Sequence, residues 1–359
     1  MDANNRPALH TLLEQGQTAS DELRLEQALE TYQTAAEAYP EAVEPLIRLA
    51  RTLSRMRRSD ESMEAIERGL SVAPGNLELL TIKGSLLFLL DRNDEAIEML
   101  KSVVEAGGND PEAHVVLAQA LADQREHEES QQELTRAEAL IDAIEDATER
   151  ERWLAMLWHA RTYTHLAKGN NEEAMASAQE VIARKDANPY AACLAYSNLG
   201  ILQMRGRKYD LAISYLQEAL DLNPYFHRAG HALGRLYIVR KRYAEAVETL
   251  QRVVESTHEP SAGVRFALAS ALSKNGQRKE ALAEYRAALA AGLSGINAVN
   301  ARLQMIWLSE VGRYSIIAIL MAAVLAYIVL GQPSTQTLTF IALLVVLIVL
   351  QRTVGRRRS

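Results

Sequence analysis

Polar and apolar positions along the chain follow two regimes. Through about residue 291, apolar residues are interleaved with charged ones and a small residue returns at long, regular intervals. Gly16, Ala50, Gly84 and Ala118 stand 34 residues apart, and Ala28, Ser62, Ala96 and Ser130 follow each of them by 12. Farther on, Thr162, Gly200, Gly234 and Ala269 occupy the first small position, and Ala174, Ala212, Ala246 and Ala281 the second. Ala, Leu and Glu are abundant and alternating Val/Thr-rich runs are scarce, so the expected elements are helices, with almost no sheet. After Leu293 the pattern changes. Residues 314–331 form an apolar run of about eighteen residues without a charge, 332–337 are polar and include Pro333, and a second apolar run extends from Leu338 to Leu350.

The clearest single unit runs from Cys193 to Pro224 and contains Tyr196, Leu199, Gly200, Ala212, Leu216, Ala219 and Pro224. This set resembles the 34-residue tetratricopeptide repeat. The next unit repeats it with Leu233, Gly234, Tyr237, Ala246, Leu250 and Val253, and Pro40 and Pro74 close the first two units as Pro224 closes the sixth. Eight units then fill residues 9–291. The resemblance implies an all-α solenoid of two antiparallel helices per unit, with the small residues at the close approach of the two backbones. Leu46, Leu80, Trp158 and Tyr196 fill the space between units. No unit buries its apolar face alone, so stacking supplies the stability. The interval from Ala118 to Thr162 is 44 rather than 34, and the surplus around Ile141–Trp153 is expected to lengthen the helices between the fourth and fifth units.

Residues 292–313 read as an amphipathic juxtamembrane helix or linker. Within it Val299, Leu303, Ile306 and Trp307 cluster on one side of a helix over Asn297–Leu308, which either caps the solenoid or lies at a bilayer surface. The two apolar runs, extended to 314–331 and 335–351, are expected to form a transmembrane hairpin, because about 20 residues cross the hydrocarbon core. Arg302 and Arg313 precede the first span, while Arg352 and Arg356–Arg358 follow the second in a basic tail over 352–359. The positive-inside rule therefore places the N-terminal solenoid and the C-terminus in the cytoplasm, with a bacterial cytoplasmic membrane the first expectation and an organelle membrane the second. The N-terminus has no basic segment followed by an apolar run, so no signal or transit peptide is expected there. Ala318, Ala322 and Ala326 make a small-residue stripe on the first span. It serves packing against the second span or homo-oligomerisation.

Charge adds polarity to this picture. Residues 1–150 hold 14 Lys and Arg against 31 Asp and Glu; residues 151–359 hold 25 against 15. The basic half adjoins the apolar tail, which favours anionic lipid. No module for nucleic acid accompanies the positive charge. Cys193 is the one cysteine, so an intrachain disulfide is ruled out.

No catalytic constellation is present: there is no phosphate-cradling Gly loop and no Gly-x-Ser-x-Gly elbow. His127-Glu128-Glu129 is followed by Gln131 where a zincin needs its second His. His227 and His231 stand four apart and could both ligate a metal, but no third ligand is evident. No enzyme activity, cofactor or metal is therefore expected. The repeat family commonly binds a peptide or helix on its concave face. Carried over residue by residue, that face includes His159, Tyr163, Asn198, Ile201, Arg228, His231 and Arg235, a polar and partly basic strip suited to an extended or acidic protein segment. One subclass clamps the C-terminal carboxylates of heat-shock chaperones. Asn198 and Arg228 match its pattern, but Met156, Ala160 and Ala232 depart from it, so chaperone-tail binding is not expected. The reading is a membrane-anchored interaction scaffold, with a structural or assembly subunit that binds through its hairpin as the alternative. If the Ala stripe mediates homo-oligomers, bulky residues at 318, 322 and 326 will abolish the crosslinked oligomer in native membranes; an unchanged oligomer assigns the stripe to packing within the chain.

Overall fold

The computed structural model describes residues 6–107, 110–224, 226–257 and 260–309. Among the described residues there are 17 helices and no strand. Sixteen of them pair as antiparallel hairpins: α1 (Arg6–Asp21) with α2 (Leu25–Ala38), α3 (Val43–Arg55) with α4 (Ser59–Val72), α5 (Leu77–Leu89) with α6 (Asn93–Glu105), and α7 (Pro111–Asp123) with α8 (His127–Asp142). The remaining pairs are α9 (Ala147–Lys168) with α10 (Asn171–Ala183), α11 (Pro189–Arg205) with α12 (Tyr209–Leu222), α13 (His227–Val239) with α14 (Tyr243–Ser256), and α15 (Ala262–Lys274) with α16 (Arg278–Ala290). These are the eight expected units. The last described helix, α17 (Gly295–Leu308), follows them.

The second small position is closed completely: Ala28, Ala96, Ala212, Ala246 and Ala281 have no exposed surface. Ser62 and Ser130, which replace Ala there, use the proximity chemically. Their hydroxyls donate to the facing backbone carbonyls of Ala50 at 2.9 Å and Ala118 at 2.8 Å. The first small position receives a bulky side chain from the residue 16 places later. A Cβ on Gly84 would fall 2.7 Å from Leu100 Cγ, and one on Gly234 would fall 2.4 Å from Leu250 Cγ. A Cβ at these two glycines would have to displace the facing leucine, whereas hairpins with Ala50, Ala118, Thr162 or Ala269 at this position accommodate one.

Each hairpin turn is built in one way. Seven residues after the small position the backbone turns left-handed, at Leu23, Arg57, Asp91, Arg125, Arg207 and Lys241 with φ of 58–66°, and at Gly169 and Gly276 in the other two hairpins. A non-glycine residue spends about 1 kcal/mol or more in that region. The next N–H reaches back to the end of the first helix, as Arg58 does to Leu53 O at 2.9 Å and Arg242 to Tyr237 O at 2.8 Å, and so satisfies a terminal carbonyl. Several first helices open instead on side-chain caps. Asn76, Asp146 and Asn188 accept from the N–H three residues on, at 2.9, 2.7 and 3.0 Å. Pro111 and Pro189 stand at helix starts that lack an N–H partner anyway.

The chain divides into two compact units, residues 1–260 and 261–359. In the first, each second helix packs on the following first helix, and first helices also touch one another, α3 on α5, α5 on α7, α7 on α9, α9 on α11 and α11 on α13. First helices thus line the inner side. The long interval before the fifth hairpin appears as a helix of 22 residues, α9. Its added N-terminal turns carry Arg152 to the first hairpin, where Nη2 lies 2.6 Å from Asp21 Oδ2. Nearby, the Arg55 guanidinium sits 5.1 Å over the Tyr190 ring, and Leu23, Met56, Tyr190, Phe226, His227 and Thr257 line one cleft. Seven hairpins therefore bring the first two against the last three.

In the second unit, α17 packs on α16 and α15, and its buried residues are Ala298, Ala301 and Leu308. Among the described residues no helix is long and apolar enough to cross a membrane. The segments 314–331 and 335–351 lie outside the described residues.

Gly234→Ala should lower the unfolding free energy by about 1–3 kcal/mol through overpacking. Urea denaturation checks this, and Leu250→Ala should cost less in the Gly234→Ala background than alone, because the two changes share one space.

Candidate partner-binding face

Along the inner side of the first unit, side chains of the first helices fall into three electrostatic zones. In the N-terminal zone charges are paired. Arg48 bonds to Glu44 and to Gln17 at 2.8 and 3.0 Å, and Arg51 spans Glu78 at 2.9 Å and Glu112 at 2.8 Å. Glu44, Glu78 and Glu112 are one repeat position seen three times, so the repeat stacks carboxylates and Arg51 neutralises two of them. Burial works against the charge of Arg51, but Glu112 and Glu78 outweigh it and raise its pKa. Burial raises the pKa of Glu112 and Asp110 despite Arg51.

The middle zone is polar and enclosed. Tyr163 donates its hydroxyl to Asp123, 2.9 Å from each carboxylate oxygen, and its ring meets Phe88 edge-on at 5.8 Å. Burial, then the Asp123 charge, raises its pKa. His159 is only 6 % exposed, and its Nδ1 lacks a hydrogen-bond partner. Burial first, and Arg228 second, push its pKa down to about 3. Asn198 is 4 % exposed and accepts from Arg228 Nη2 at 2.7 Å, while its own Nδ2 has no partner. Ile201 is half-buried on the same helix.

The third zone is cationic. Arg57 and Arg205 press electrostatically on Arg228, whose pKa falls chiefly by desolvation, although its side chain keeps solvent-exposed surface. Burial raises the pKa of Tyr190, and the charges of Arg55, Arg57 and Arg228 oppose that rise. Arg235 stands exposed beside His231. No carboxylate of a described residue lies within ion-pair distance of Arg55, Arg57, Arg205, Arg228 or Arg235. The acidic excess of the N-terminal half therefore does not reach these arginines, and the zone presents guanidinium groups to solvent with hydrogen-bonding capacity unused.

The two histidines considered as metal ligands fall in this zone. Burial, then Arg57, Arg228 and His231, pushes His227 down to about 4. Burial and Arg235 do the same to His231, whose Nε2 has no partner. Among the described residues no three His, Cys, Asp or Glu side chains gather as a metal site. Cys193 is fully buried with Sγ 3.6 Å from Ala219 O, and burial raises its pKa to about 12.

Of the residues expected on this face, His159, Tyr163, Asn198 and Arg228 form one neighbourhood, and His231 with Arg235 form its continuation along α13. Ala318, Ala322 and Ala326 lie outside the described residues. Reading the repeats alone misses Arg55, Arg57, Tyr190 and Arg205. Arg57 occupies the turn position, which the repeat explains structurally, and its approach to Arg228 depends on the winding of seven hairpins. The Arg51 ladder, by contrast, is announced by the 34-residue spacing of its glutamates.

The neutral histidines make stability depend on pH in one direction. Unfolded histidines take up protons near pH 6.5, whereas His227 and His231 resist until about 4 and His159 until about 3. The unfolded state binds more protons in that window, so stability is full above about pH 6.5 and falls as the pH drops towards 4. Urea midpoints should therefore decrease between pH 7 and 4.5, and His227→Gln/His231→Gln should flatten that decrease.

Family models of the tetratricopeptide repeat match residues 47–111, 83–147 and 204–263. Comparison with curated proteins gives no match. Among solved structures, a chain of the crystal structure of the APC/C hetero-tetramer Cut9–Hcn1 superposes with a TM-score of 0.56 at 17% identity, over 83% of this chain and 55% of that one. The likeness is one of fold, and this chain spans about half the length of that neighbour. The protein carries tetratricopeptide repeats in both of its halves, arranged as a helical solenoid.

Proposed function

We propose that this protein is a membrane-anchored interaction scaffold that holds extended, acidic segments of partner proteins on the inner face of its first unit. Tetratricopeptide repeats point to protein–protein interaction in general, and the repeat-bearing neighbour occurs in a hetero-tetramer. The observation that carries the finer reading is the cationic zone. Arg55, Arg57, Arg205, Arg228 and Arg235 have no carboxylate partner among the described residues, and Asn198, His159 and His231 add unused polar atoms. An acidic segment lying along α11 and α13 supplies the missing charge. Guanidinium–carboxylate contacts are charge-assisted and can be bidentate, which makes them stronger than neutral hydrogen bonds.

The anchor belongs to the same proposal. Its support is the two apolar segments, the uncharged turn between them and the arginines at both flanks. These features favour a hairpin with the solenoid and the C-terminus in the cytoplasm. Anchoring confines the inner face to a thin layer, where modest affinity per segment suffices.

The full chain in detergent micelles tests the inner face. A fluorescent oligoglutamate peptide should bind with an affinity that falls as salt rises. Arg57→Glu/Arg228→Glu should weaken binding at least about tenfold, equivalent to about 1.4 kcal/mol, while Arg242→Glu, whose arginine already pairs with Glu245, should leave it unchanged. Equal binding by all three proteins rejects the proposal.

A further inference from the structure

Four of the large apolar side chains most exposed among the described residues lie on one short helix. On α17, Ile296 is 87% exposed, Val299 54%, Leu303 60% and Ile306 49%. The others, including Val72, Leu90, Leu211 and Val239, are scattered over separate hairpins. The four are spaced by three, four and three residues, which places them on one stripe of a helix. Ala298, Ala301 and Leu308 are buried, in a helix that packs on α16 and α15, and fall on the opposite side at about 100° per residue. Trp307, half-buried, stands by its register next to the exposed stripe. The helix is thus apolar on two sides. One side, with Ala298, Ala301 and Leu308, is buried, and a second, bulkier set faces outward with nothing from the described residues over it.

We infer that this outward stripe of α17 lies in the headgroup–acyl boundary of a membrane, so that the cap of the last hairpin is also a lipid-contacting surface. The inference rests on the reading that 314–331 and 335–351 enter a bilayer. Four residues, and so five Cα-to-Cα steps, separate Ser309, the last described residue, from Tyr314, where the first apolar segment begins. Five such steps reach at most about 18 Å when fully extended, so the medium that receives the apolar segment is within that distance of the end of α17. Charge points the same way. Residues 261–309 carry six Lys and Arg against two Glu, which favours anionic headgroups. A helix with an apolar stripe, an indole beside it and basic surroundings has the composition of an interfacial helix.

The test uses the full chain reconstituted into vesicles of equal parts phosphatidylcholine and phosphatidylglycerol. An environment-sensitive fluorophore is attached at Leu303→Cys, or for reference at Lys279→Cys on α16, in a Cys193→Ala background. The inference expects the label at 303 to be quenched several-fold more by brominated lipids than by aqueous iodide, and the label at 279 to show the reverse. Quenching at 303 by iodide alone overturns it, because the stripe then faces water. Protection from both quenchers also overturns it, because a second copy or another protein segment then covers the stripe. Recovery of the chain with the vesicles after a carbonate wash separates the two claims. A chain recovered with a water-exposed label loses only the inference about α17, whereas a chain washed off loses the membrane reading and the inference with it.

Discussion

Everything in the fold depends on how closely two helices of one hairpin can approach. At the first small position the gap is too narrow for a Cβ where glycine stands, and the bulky residue 16 places later fills it. At the second small position an alanine or serine is sealed against the facing backbone. That approach sets the crossing of the two helices. The crossing in turn decides which face remains for the next hairpin, and hence how the first helices line an inner side. Caps and left-handed turns then fix the ends. The six non-glycine residues held at positive φ show how strongly the packing dictates the turn, since each tolerates a local strain that the surrounding hydrogen bonds and helix contacts over-determine.

The inner face inherits its chemistry from this geometry. Stacking identical units places equivalent residues above one another, so a charge repeated in sequence becomes a column in space. Repetition of Glu44, Glu78 and Glu112 would concentrate negative charge, and Arg51 answers it. Later units lack the glutamate column and bring arginines together instead. The same architecture therefore makes a self-neutralised stretch and an electropositive one within a single unit. The scaffold reading follows from the second.

Eight hairpins were legible in the residues because close packing tolerates few side chains at two positions, and the constraint recurs at a fixed interval. The long α9 was legible as the surplus between Ala118 and Thr162. The repeat pattern places Asn198 and Arg228 on the same face, but their hydrogen bond comes from the structure. What could not be read was anything dependent on curvature. Arg152 and Asp21 are 131 residues apart and share no motif. The convergence of Arg57 on Arg228 depends on the accumulated rotation of several hairpins, each contributing an angle that no single residue encodes. Side-chain burial at His159 and Asn198 was hidden for the same reason, because a position on the inner face of one hairpin is enclosed only when its neighbours close over it.

The contacts of Asp21 with Arg152 and of Arg55 with Tyr190 also bear on how the first unit comes apart. A solenoid whose units touch only their neighbours frays from its ends, one hairpin at a time, with a stability that adds up along the chain. Here the first two hairpins are also held by residues of the fifth and sixth. Opening the N-terminal hairpin breaks contacts remote in sequence, and loosening α9 or α11 releases the start of the chain. These contacts couple the N-terminal hairpins to the fifth and sixth and oppose progressive peeling from that end.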